Sequence, residues 1–221
     1  ALPICYTKDV SVMHMAFPAM KKYMQHLSRM EDKDGIIAFG LGDWCAPKAT
    51  KICPLAITDT AYYYQFALAM AEGTAADGGD PAEWERLADR IRQAFRKRFI
   101  VDGLPVPEGQ TALAVVITMG LLEDAEKPAA AARLAELIAE NGYHIDCGII
   151  GTKCVFRALS DYGYTETAYK MVTNPAYPSY AYWILSGCTT LAEDWEMRGS
   201  LNHHMYSEVD LWMYRYLAGI Q

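Results

Sequence analysis

Two kinds of helical segment alternate along this chain, and the alternation strongly restricts how the chain can fold. Residues 60–71 and 111–122 are apolar on nearly every side, which is typical of a helix that is covered all round. Residues 81–99 carry apolar side chains on one face and charged ones elsewhere, as a surface helix does. Inner helices surrounded by outer ones indicate an α/α barrel, and an irregular helical bundle is the alternative that periodicity leaves open.

Short segments with Gly, Pro, Asn or Asp separate the predicted helices, and strand-like alternation is scarce. The predicted helices span residues 9–30, 59–72, 81–99, 110–122, 126–141, 152–162, 164–173, 179–186 and 207–218. We therefore predict an all-α fold in which residues 1–221 form a single domain. A closed barrel of six helical hairpins needs more helices than these, so we expect a partial (α/α)6 barrel that lacks the first helices. Uncovered flanks of inner helices would favour self-association.

The charge balance argues against two classes of partner. The net charge is −7 at pH 7, and no run of Lys or Arg is present to neutralise phosphates. Nucleic acid and an anionic membrane surface are therefore not expected as partners. No uninterrupted apolar stretch approaches the roughly 20 residues that a bilayer span requires. Neutral or polar small ligands are compatible with this composition, and the sequence leaves the cellular compartment open.

Cysteine and histidine residues never cluster with the spacing of zinc ligands, so the sequence predicts no metal site. The six cysteines lie mostly inside apolar runs, and we expect them to be buried free thiols. The chain also has neither a glycine-rich phosphate loop nor a nucleophile elbow.

Candidate chemistry is concentrated in residues 187–203, where the run of helices is interrupted. This segment reads Gly-Cys-Thr-Thr-Leu-Ala-Glu-Asp-Trp-Glu-Met-Arg-Gly-Ser-Leu-Asn-His. A carboxylate can activate water, a Trp can stack on the apolar face of a pyranose, and His and Asn can bind hydroxyls, so this combination favours sugar cleavage. A polar, solvated loop with Trp195 as a surface anchor is the alternative.

A second candidate segment is residues 39–44, whose glycines predict irregular backbone at a helix edge. From the residues alone, Asp43 is equally well explained as a capping residue in a turn, and Trp44 as a core side chain. Asp59 is interpreted as an N-terminal helix residue that the backbone dipole favours, not as a catalytic group.

Five short motifs occur in a fixed order along the chain. They are Gly42-Asp43-Trp44, Gly148-Ile149-Ile150-Gly151-Thr152 leading to Ala158-Leu159-Ser160, Tyr177-Pro178-Ser179, Gly187 to Trp195, and Ser200-Leu201-Asn202-His203. In this order they resemble the later part of the catalytic domain of glycoside hydrolase family 78, the α-L-rhamnosidases. The resemblance implies an (α/α)6 barrel, of which this chain would be a fragment that begins inside the catalytic domain.

The resemblance also implies roles for individual residues. Glu193 aligns with the family's general base, which deprotonates the water that attacks the anomeric carbon in an inverting reaction. Trp44 resembles a sugar-facing wall, Asp43 a hydroxyl-binding or supporting group, and His203 the family's substrate-contacting histidine. Trp195 completes the set of residues that we expect to bind substrate.

An inverting glycosidase needs a second carboxylic acid about 6.5–9.5 Å from its base. In the family this general acid lies upstream of every motif found here, so the isolated chain is expected to be inactive. The implied function is release of terminal rhamnose from plant glycosides or pectic polysaccharide, without a cofactor. The alternatives are a non-catalytic helical carbohydrate-binding or interaction module, and another glycosidase on the same barrel.

Two positions depart from the family's pattern. Tyr180 stands where a Trp is common, and Ala192 stands where an aromatic residue often precedes the base. Such changes alter the shape of a pocket without removing it. Tyr180, Tyr182 and Trp183 lie on an apolar segment, so core packing is the interpretation that we favour for them.

Overall fold

The computed structural model of this chain describes residues 11–48 and 52–220. They are mostly helical, which confirms the all-α prediction. The helices are α1 (Ser11–Arg29), α2 (Leu55–Ala76), α3 (Ala82–Phe99), α4 (Gln110–Thr118), α5 (Lys127–Glu140), α6 (Ile149–Ser160), α7 (Thr165–Thr173), α8 (Tyr180–Leu185) and α9 (Glu208–Trp212). A π-helical turn, Met213–Leu217, continues α9. Each predicted helix has a counterpart among these.

A short β-hairpin after α3 was not expected from the sequence. Strand β1 (Ile100–Val101) pairs antiparallel with β2 (Leu104–Pro105). The two residues between the strands, Asp102 and Gly103, have φ values of 51° and 79°. Asp-Gly is a strong sequence signal for a two-residue hairpin turn, because both positions require positive φ. The signal was therefore present, although the strands are too short to show alternation.

The described residues form two compact units. The first contains residues 11–40 and 55–98, and the second contains residues 41–48, 52–54 and 99–220. That residues 1–221 form a single domain stays a prediction.

In the first unit, α2 is the covered helix that its apolar sequence predicts. Ile57, Tyr63 and Ala67 are all fully buried, and α1 packs against this helix. Helix α3 is amphipathic, with Trp84 and Phe95 among the side chains of its buried face. Its acidic first turn and basic last turn match the sign of the helix dipole.

A polar network and an aspartate fix the loop that follows α1. The Glu31 carboxylate accepts hydrogen bonds from Tyr63 and, at 2.7 and 2.8 Å, from Arg90. Burial favours the neutral form of Glu31, but these donors outweigh it and lower the pKa of the carboxyl group. The Asp59 carboxylate accepts the backbone N–H groups of Phe39 and Gly40 at 3.0 and 2.7 Å. Asp59 thus has a structural role, as the sequence favours, although it binds a loop and does not cap its own helix.

In the second unit, α4 is almost entirely buried and packs against α5 and α6. Close approach of α4 and α6 depends on Gly151, because a Cβ there would lie 2.2 Å from the Thr111 hydroxyl oxygen. A second cluster of core side chains is aromatic. It packs α8 against the segment that follows this helix. Its members are Tyr180, Trp183, Trp195 and Tyr206, each at most 5% exposed. The core-packing interpretation of Tyr180 and Trp183 is confirmed.

The cysteines of the described residues are free thiols. Cys147 and Cys154 are buried, as expected, whereas Cys45, Cys53 and Cys188 are only partly buried. Cys5 lies outside the described residues.

Candidate active site

The loop after α8 folds back on itself and brings Glu193 close to His203. The Glu193 backbone N–H donates to the Ser200 carbonyl oxygen at 2.8 Å, and the His203 N–H donates to the Leu191 carbonyl oxygen at 2.9 Å. These two hydrogen bonds join residues 191–193 to residues 200–203. The sequence-predicted base and histidine therefore emerge from neighbouring backbone segments.

One oxygen of the Glu193 carboxylate is fixed and the other is available. Oε2 accepts the Ser200 N–H at 2.9 Å, and no described residue donates to Oε1. The space beside Oε2 is closed by Gly199, where an added Cβ would lie 2.6 Å from that oxygen. A half-buried carboxylate with one anchored and one unengaged oxygen has the geometry of a general base, because its orientation is set while an acceptor is left for water.

Glu196 links this loop to the segment that carries Trp44. Its Oε1 accepts the Lys48 backbone N–H at 3.0 Å and the Tyr177 hydroxyl at 2.6 Å. Its Oε2 pairs with Arg198 at 2.8 Å. Burial alone would raise the pKa of Glu196, but the three donors lower it overall, so the group stays ionised near neutral pH.

A second link joins the same two regions through Tyr206, whose hydroxyl donates to the Cys45 carbonyl oxygen at 2.7 Å. The pKa of the Cys45 thiol is raised, first by burial and then by the carboxylates of Asp194 and Glu193. Cys45 therefore lies beside the acidic part of the loop. Because Cys45 directly follows Trp44, the tryptophan belongs to the same cluster of loops.

Trp44 is 50% exposed, so it is not the core side chain that the residues alone allowed. Its carbonyl oxygen accepts the Ile149 N–H at 2.9 Å, and its own N–H donates to the Gly42 carbonyl oxygen at 2.9 Å. The backbone is thus held while the indole faces solvent. An exposed aromatic ring on a fixed backbone is suited to stacking on the apolar face of a sugar.

Of the two roles that the resemblance implied for Asp43, the structure fits the supporting one and not hydroxyl binding, because both carboxylate oxygens are engaged by the protein. Oδ1 accepts the N–H groups of Ile150 and Gly151, both at 2.9 Å. Oδ2 accepts the Gly148 N–H at 2.8 Å and the Thr111 hydroxyl. At 3% exposure, Asp43 caps the first turn of α6 from a distant part of the chain. Asp43 therefore joins the Trp44 segment to the start of α6, and it has no oxygen available for a sugar hydroxyl.

Trp195 also departs from its predicted role, because none of its surface is exposed. Its indole stacks on Trp183 with ring centroids 4.5 Å apart, and its Nε1–H donates to the Cys147 carbonyl oxygen at 2.9 Å. A side chain enclosed in this way cannot stack on a sugar. It packs beneath the loop that carries Glu193 and holds that loop to the aromatic core.

His203 is partly exposed and presents a donor. Its Nδ1 accepts the Met205 N–H at 3.1 Å, so the neutral ring carries its proton on Nε2. The ring stacks parallel to that of His204, with centroids 5.3 Å apart. An Nε2–H group with no partner among the described residues is able to donate to a sugar hydroxyl.

The predicted site residues fall into two groups. A ligand could reach an exposed ring in Trp44 and unpaired polar atoms in Glu193 and His203. Asp43 and Trp195 are buried and instead hydrogen-bond to the protein backbone. Sequence reasoning missed Glu196 and Tyr177 as the groups that connect the loops. Glu196 was visible only as one member of an acidic segment. The identity of its partner, a backbone N–H at residue 48, has no sequence signal.

Across the parts of the chain that the structure covers, no helix has both the length and the apolar character of a membrane span. Within the same residues, no three His, Cys, Asp or Glu side chains are grouped so as to hold a metal ion.

The fold and the arrangement of these loops correspond to a six-hairpin glycosidase domain, the class to which the comparisons with known proteins assign the chain. The sequence profile of the bacterial α-L-rhamnosidase six-hairpin glycosidase domain matches residues 5–217. The chain belongs to this family, which confirms the resemblance that its motifs indicated.

Several relatives named α-L-rhamnosidase are similar over nearly all of the chain. An α-L-rhamnosidase of Streptomyces avermitilis is 32% identical over 96% of this chain and 22% of its own length. One from Formosa agariphila is 29% identical over 98% of this chain and 25% of its own length. The chain thus spans about a quarter of the length of these relatives.

Solved structures agree with the sequence comparison. The Streptomyces avermitilis α-L-rhamnosidase in complex with L-rhamnose superimposes with a TM-score of 0.88 at 30% identity, over 96% of this chain and 22% of that one. The α-L-rhamnosidase from Dictyoglumus thermophilum gives a TM-score of 0.84 at 31% identity, over 94% and 25%. An Aspergillus terreus α-L-rhamnosidase, at 22% identity and a TM-score of 0.85, shares the fold.

Proposed function

We propose that this chain supplies the general base and part of the sugar-binding surface of an inverting α-L-rhamnosidase, which releases terminal rhamnose from plant glycosides or pectic polysaccharide. The observation that carries the proposal is the state of Glu193, whose Oε2 is fixed by Ser200 while Oε1 is unengaged. Supporting it, the relatives are α-L-rhamnosidases, and one of the similar structures is a complex with L-rhamnose.

In this mechanism Glu193 Oε1 accepts a proton from the water that attacks the anomeric carbon. Trp44 stacks on the apolar face of the rhamnose ring, and His203 donates from Nε2 to a sugar hydroxyl. Fixing these groups before substrate binds lowers the entropic cost of reaching the transition state. A correctly placed base contributes about 10² to 10⁴-fold to the rate.

The general acid of the proposed reaction lies outside this chain. Within the loop, Glu196 is a poor proton donor, because its lowered pKa keeps it ionised near neutral pH. An ionised carboxylate cannot protonate a leaving group. We therefore expect little or no hydrolysis by residues 1–221 alone.

The test is chromogenic release from an aryl α-L-rhamnoside by the complete gene product, by its Glu193→Gln variant and by residues 1–221 alone. We expect the first to be active, the second to lose at least roughly 10²-fold in kcat and the third to be inactive. Glu136→Gln, on the exposed side of α5, is the matched control and should retain activity.

Two results would change the proposal. Robust, Glu193-dependent turnover by residues 1–221 would place the general acid within this chain. A complete gene product that binds L-rhamnose without cleaving it would favour a carbohydrate-binding module.

A further inference from the structure

A second histidine, His204, directly follows the histidine that the proposed reaction uses, and the reaction gives it no role. Its side chain is exposed, and among the described residues no hydrogen bond reaches its imidazole nitrogens. Its ring lies parallel to that of His203, with an interplanar angle of 3° and ring centroids 5.3 Å apart. His204 therefore meets the candidate site through a ring and not through a polar contact.

The backbone that carries the two histidines is held on both sides. The His203 N–H donates to the Leu191 carbonyl oxygen at 2.9 Å. Three residues later, the Tyr206 hydroxyl donates to the Cys45 carbonyl oxygen at 2.7 Å. A side chain on a fixed backbone keeps only its own χ rotations. The remaining freedom of His203 is therefore the orientation of its ring.

One hydrogen bond does not fix that orientation. The Met205 N–H donates to His203 Nδ1 at 3.1 Å, and this bond restrains a single atom of the ring. The ring can still rock about Nδ1, and such a motion displaces Nε2, which lies across the ring. Because a hydrogen bond weakens as its donor turns away from the acceptor, the plane of the ring determines how well Nε2–H binds a sugar hydroxyl.

The parallel ring of His204 restrains the plane that the hydrogen bond leaves free. Offset parallel rings are a favoured arrangement of aromatic side chains. If the His203 ring rocks out of its plane, it either loses this arrangement or presses against the ring of His204. A binding group keeps its geometry when the packing of a neighbour limits its rotation. The hydrogen bond at Nδ1 and the stacked ring together fix the direction of the Nε2–H group.

The fold of the loop does not need the His204 ring. The side chains that anchor this part of the chain to the core are Trp195 and Tyr206, and neither has any exposed surface. The His204 carbonyl oxygen accepts the Ser207 N–H at 3.1 Å, a backbone contact that a substitution at position 204 does not remove. A change of the exposed ring therefore acts on His203 and leaves the loop in place.

We propose that His204 is a positioning residue of the sugar-binding site, which holds the ring of His203 in the plane that directs Nε2–H at a sugar hydroxyl. This inference rests on the proposed function, because it takes His203 to contact the substrate. It does not depend on Glu193 acting as the base. Its specific consequence is that position 204 requires an aromatic ring and does not require the imidazole nitrogens.

The test measures the dissociation constant of L-rhamnose by calorimetry for the complete gene product and its variants. We expect His204→Ala to weaken binding by about three- to tenfold, which is the size of a lost aromatic pair. His204→Phe keeps a ring that stacks on His203 but has no nitrogen, and it should bind about as tightly as the wild type. His14→Ala, at an exposed histidine of α1, is the matched control and should also bind as the wild type does.

A double-mutant cycle separates positioning from general stabilisation. In a His203→Ala background no imidazole remains to be oriented, so adding His204→Ala should change the dissociation constant by less than about twofold. If His204 only stabilised the loop, the substitution would weaken binding by the same factor in both backgrounds.

Three results would overturn the positioning role. Equal weakening in both backgrounds would make His204 a structural residue. A His204→Phe variant that binds as weakly as His204→Ala would mean that an imidazole nitrogen of His204 contacts the sugar directly. Unchanged binding in His203→Ala, or no binding of L-rhamnose by the wild type, would show that His203 contacts no rhamnose.

The cycle also distinguishes this role from the proposed reaction, because it needs no hydrolysis. Glu193→Gln should lose turnover and keep the coupling between positions 203 and 204. A complete gene product that shows this coupling but hydrolyses no rhamnoside would support the positioning role and refute the reaction. An active enzyme without the coupling would support the reaction and refute the positioning role.

Discussion

Three carboxylates of the second unit differ in how many donors surround them, and this difference separates their roles. Asp43 accepts three backbone N–H groups and one hydroxyl, so it is a structural group. Glu193 has one backbone donor and keeps an oxygen free for water. Asp146 has a thiol alone among the described residues. All three side chains carry a carboxyl group. The number of hydrogen-bond donors around it determines whether the group stabilises the fold or is available to a ligand.

Replacing Asp43 by Asn should destabilise the protein strongly. The amide nitrogen cannot accept, so buried N–H groups at the start of α6 lose their partner, at about 1–3 kcal/mol for each. We expect the free energy of unfolding to fall by about 2–4 kcal/mol in urea denaturation. Asp210→Asn, at an exposed position of α9, is the control. Equal stability of the two variants would contradict the capping role.

The pH dependence of stability tests the environment of Asp146. This carboxyl ionises near pH 3.8 when unfolded but retains its proton to about pH 7 when folded. Between these values the folded state binds the extra proton, so the free energy of unfolding falls as pH rises. Asp146→Asn cannot ionise, and we expect it to be about 1–4 kcal/mol more stable than the wild type at pH 8.

Near pH 4 the stability difference between Asp146→Asn and the wild type should largely disappear. Urea denaturation at both pH values measures it. A difference that does not change with pH would mean that Asp146 is solvated in the folded protein.

At the scale of elements, the loops that carry the candidate site are joined by a few side chains. Glu196 connects the segment before α2 with Tyr177 and with its own loop, and Tyr206 repeats the connection through the Cys45 carbonyl oxygen. The helices supply rigid ends for these loops. The relative placement of Trp44 and Glu193 therefore depends on contacts between loops as well as on helix packing.

Removing the Glu196 link should weaken catalysis without altering the base. In the complete gene product, we expect Glu196→Ala to lower kcat/KM by about tenfold, because Trp44 and Glu193 lose a common anchor. The pH–rate profile should keep its shape, since Glu193 itself is intact. Glu196→Gln, whose amide oxygen still accepts from Lys48 and Tyr177, should recover part of the loss. A shifted acidic limb in Glu196→Ala would instead indicate direct participation in proton transfer.

Periodicity predicted the helices because each buries a face that its sequence already marks, as α3 does with Trp84 and Phe95. Glu193 and His203 were predicted as site residues by the family resemblance of motifs within one loop, not by periodicity. Periodicity could not assign Trp44 to solvent and Trp195 to the core, since an indole suits either place. Nor could it pair Asp43 with the start of α6, because that contact joins residues more than 100 positions apart and leaves no pattern in either segment.

At the scale of the whole molecule, large apolar side chains are exposed on α8 and on the π-helical turn that follows α9. Ile184 and Leu185 are each 70% exposed, and Tyr214 and Leu217 are 61% and 47% exposed. Apolar surface in this amount favours contact with another surface. We therefore assign the self-association that the sequence predicts to these exposed side chains.

We expect residues 1–221 to self-associate at micromolar concentration, and the double variant Ile184→Lys, Leu185→Lys to do so less. Two charged side chains at positions 184 and 185 oppose burial of this part of α8 against a second molecule. Size-exclusion chromatography with light scattering gives the mass of each species. Tyr169→Lys, at a comparably exposed aromatic residue of α7, is the control and should behave as the wild type. If the wild type is a monomer at this concentration, the prediction of self-association is wrong.

Gly199 is a single position at which the proposed base, Glu193, can be displaced by the size of a substituted side chain alone. A methyl group there would already press on Glu193 Oε2, and larger side chains would press further. Since Gly199 is exposed and lies outside the core, such substitutions leave the packing of the helices untouched. In a mutational library of the complete gene product, variants at position 199 should consequently score as well-expressed proteins with poor turnover.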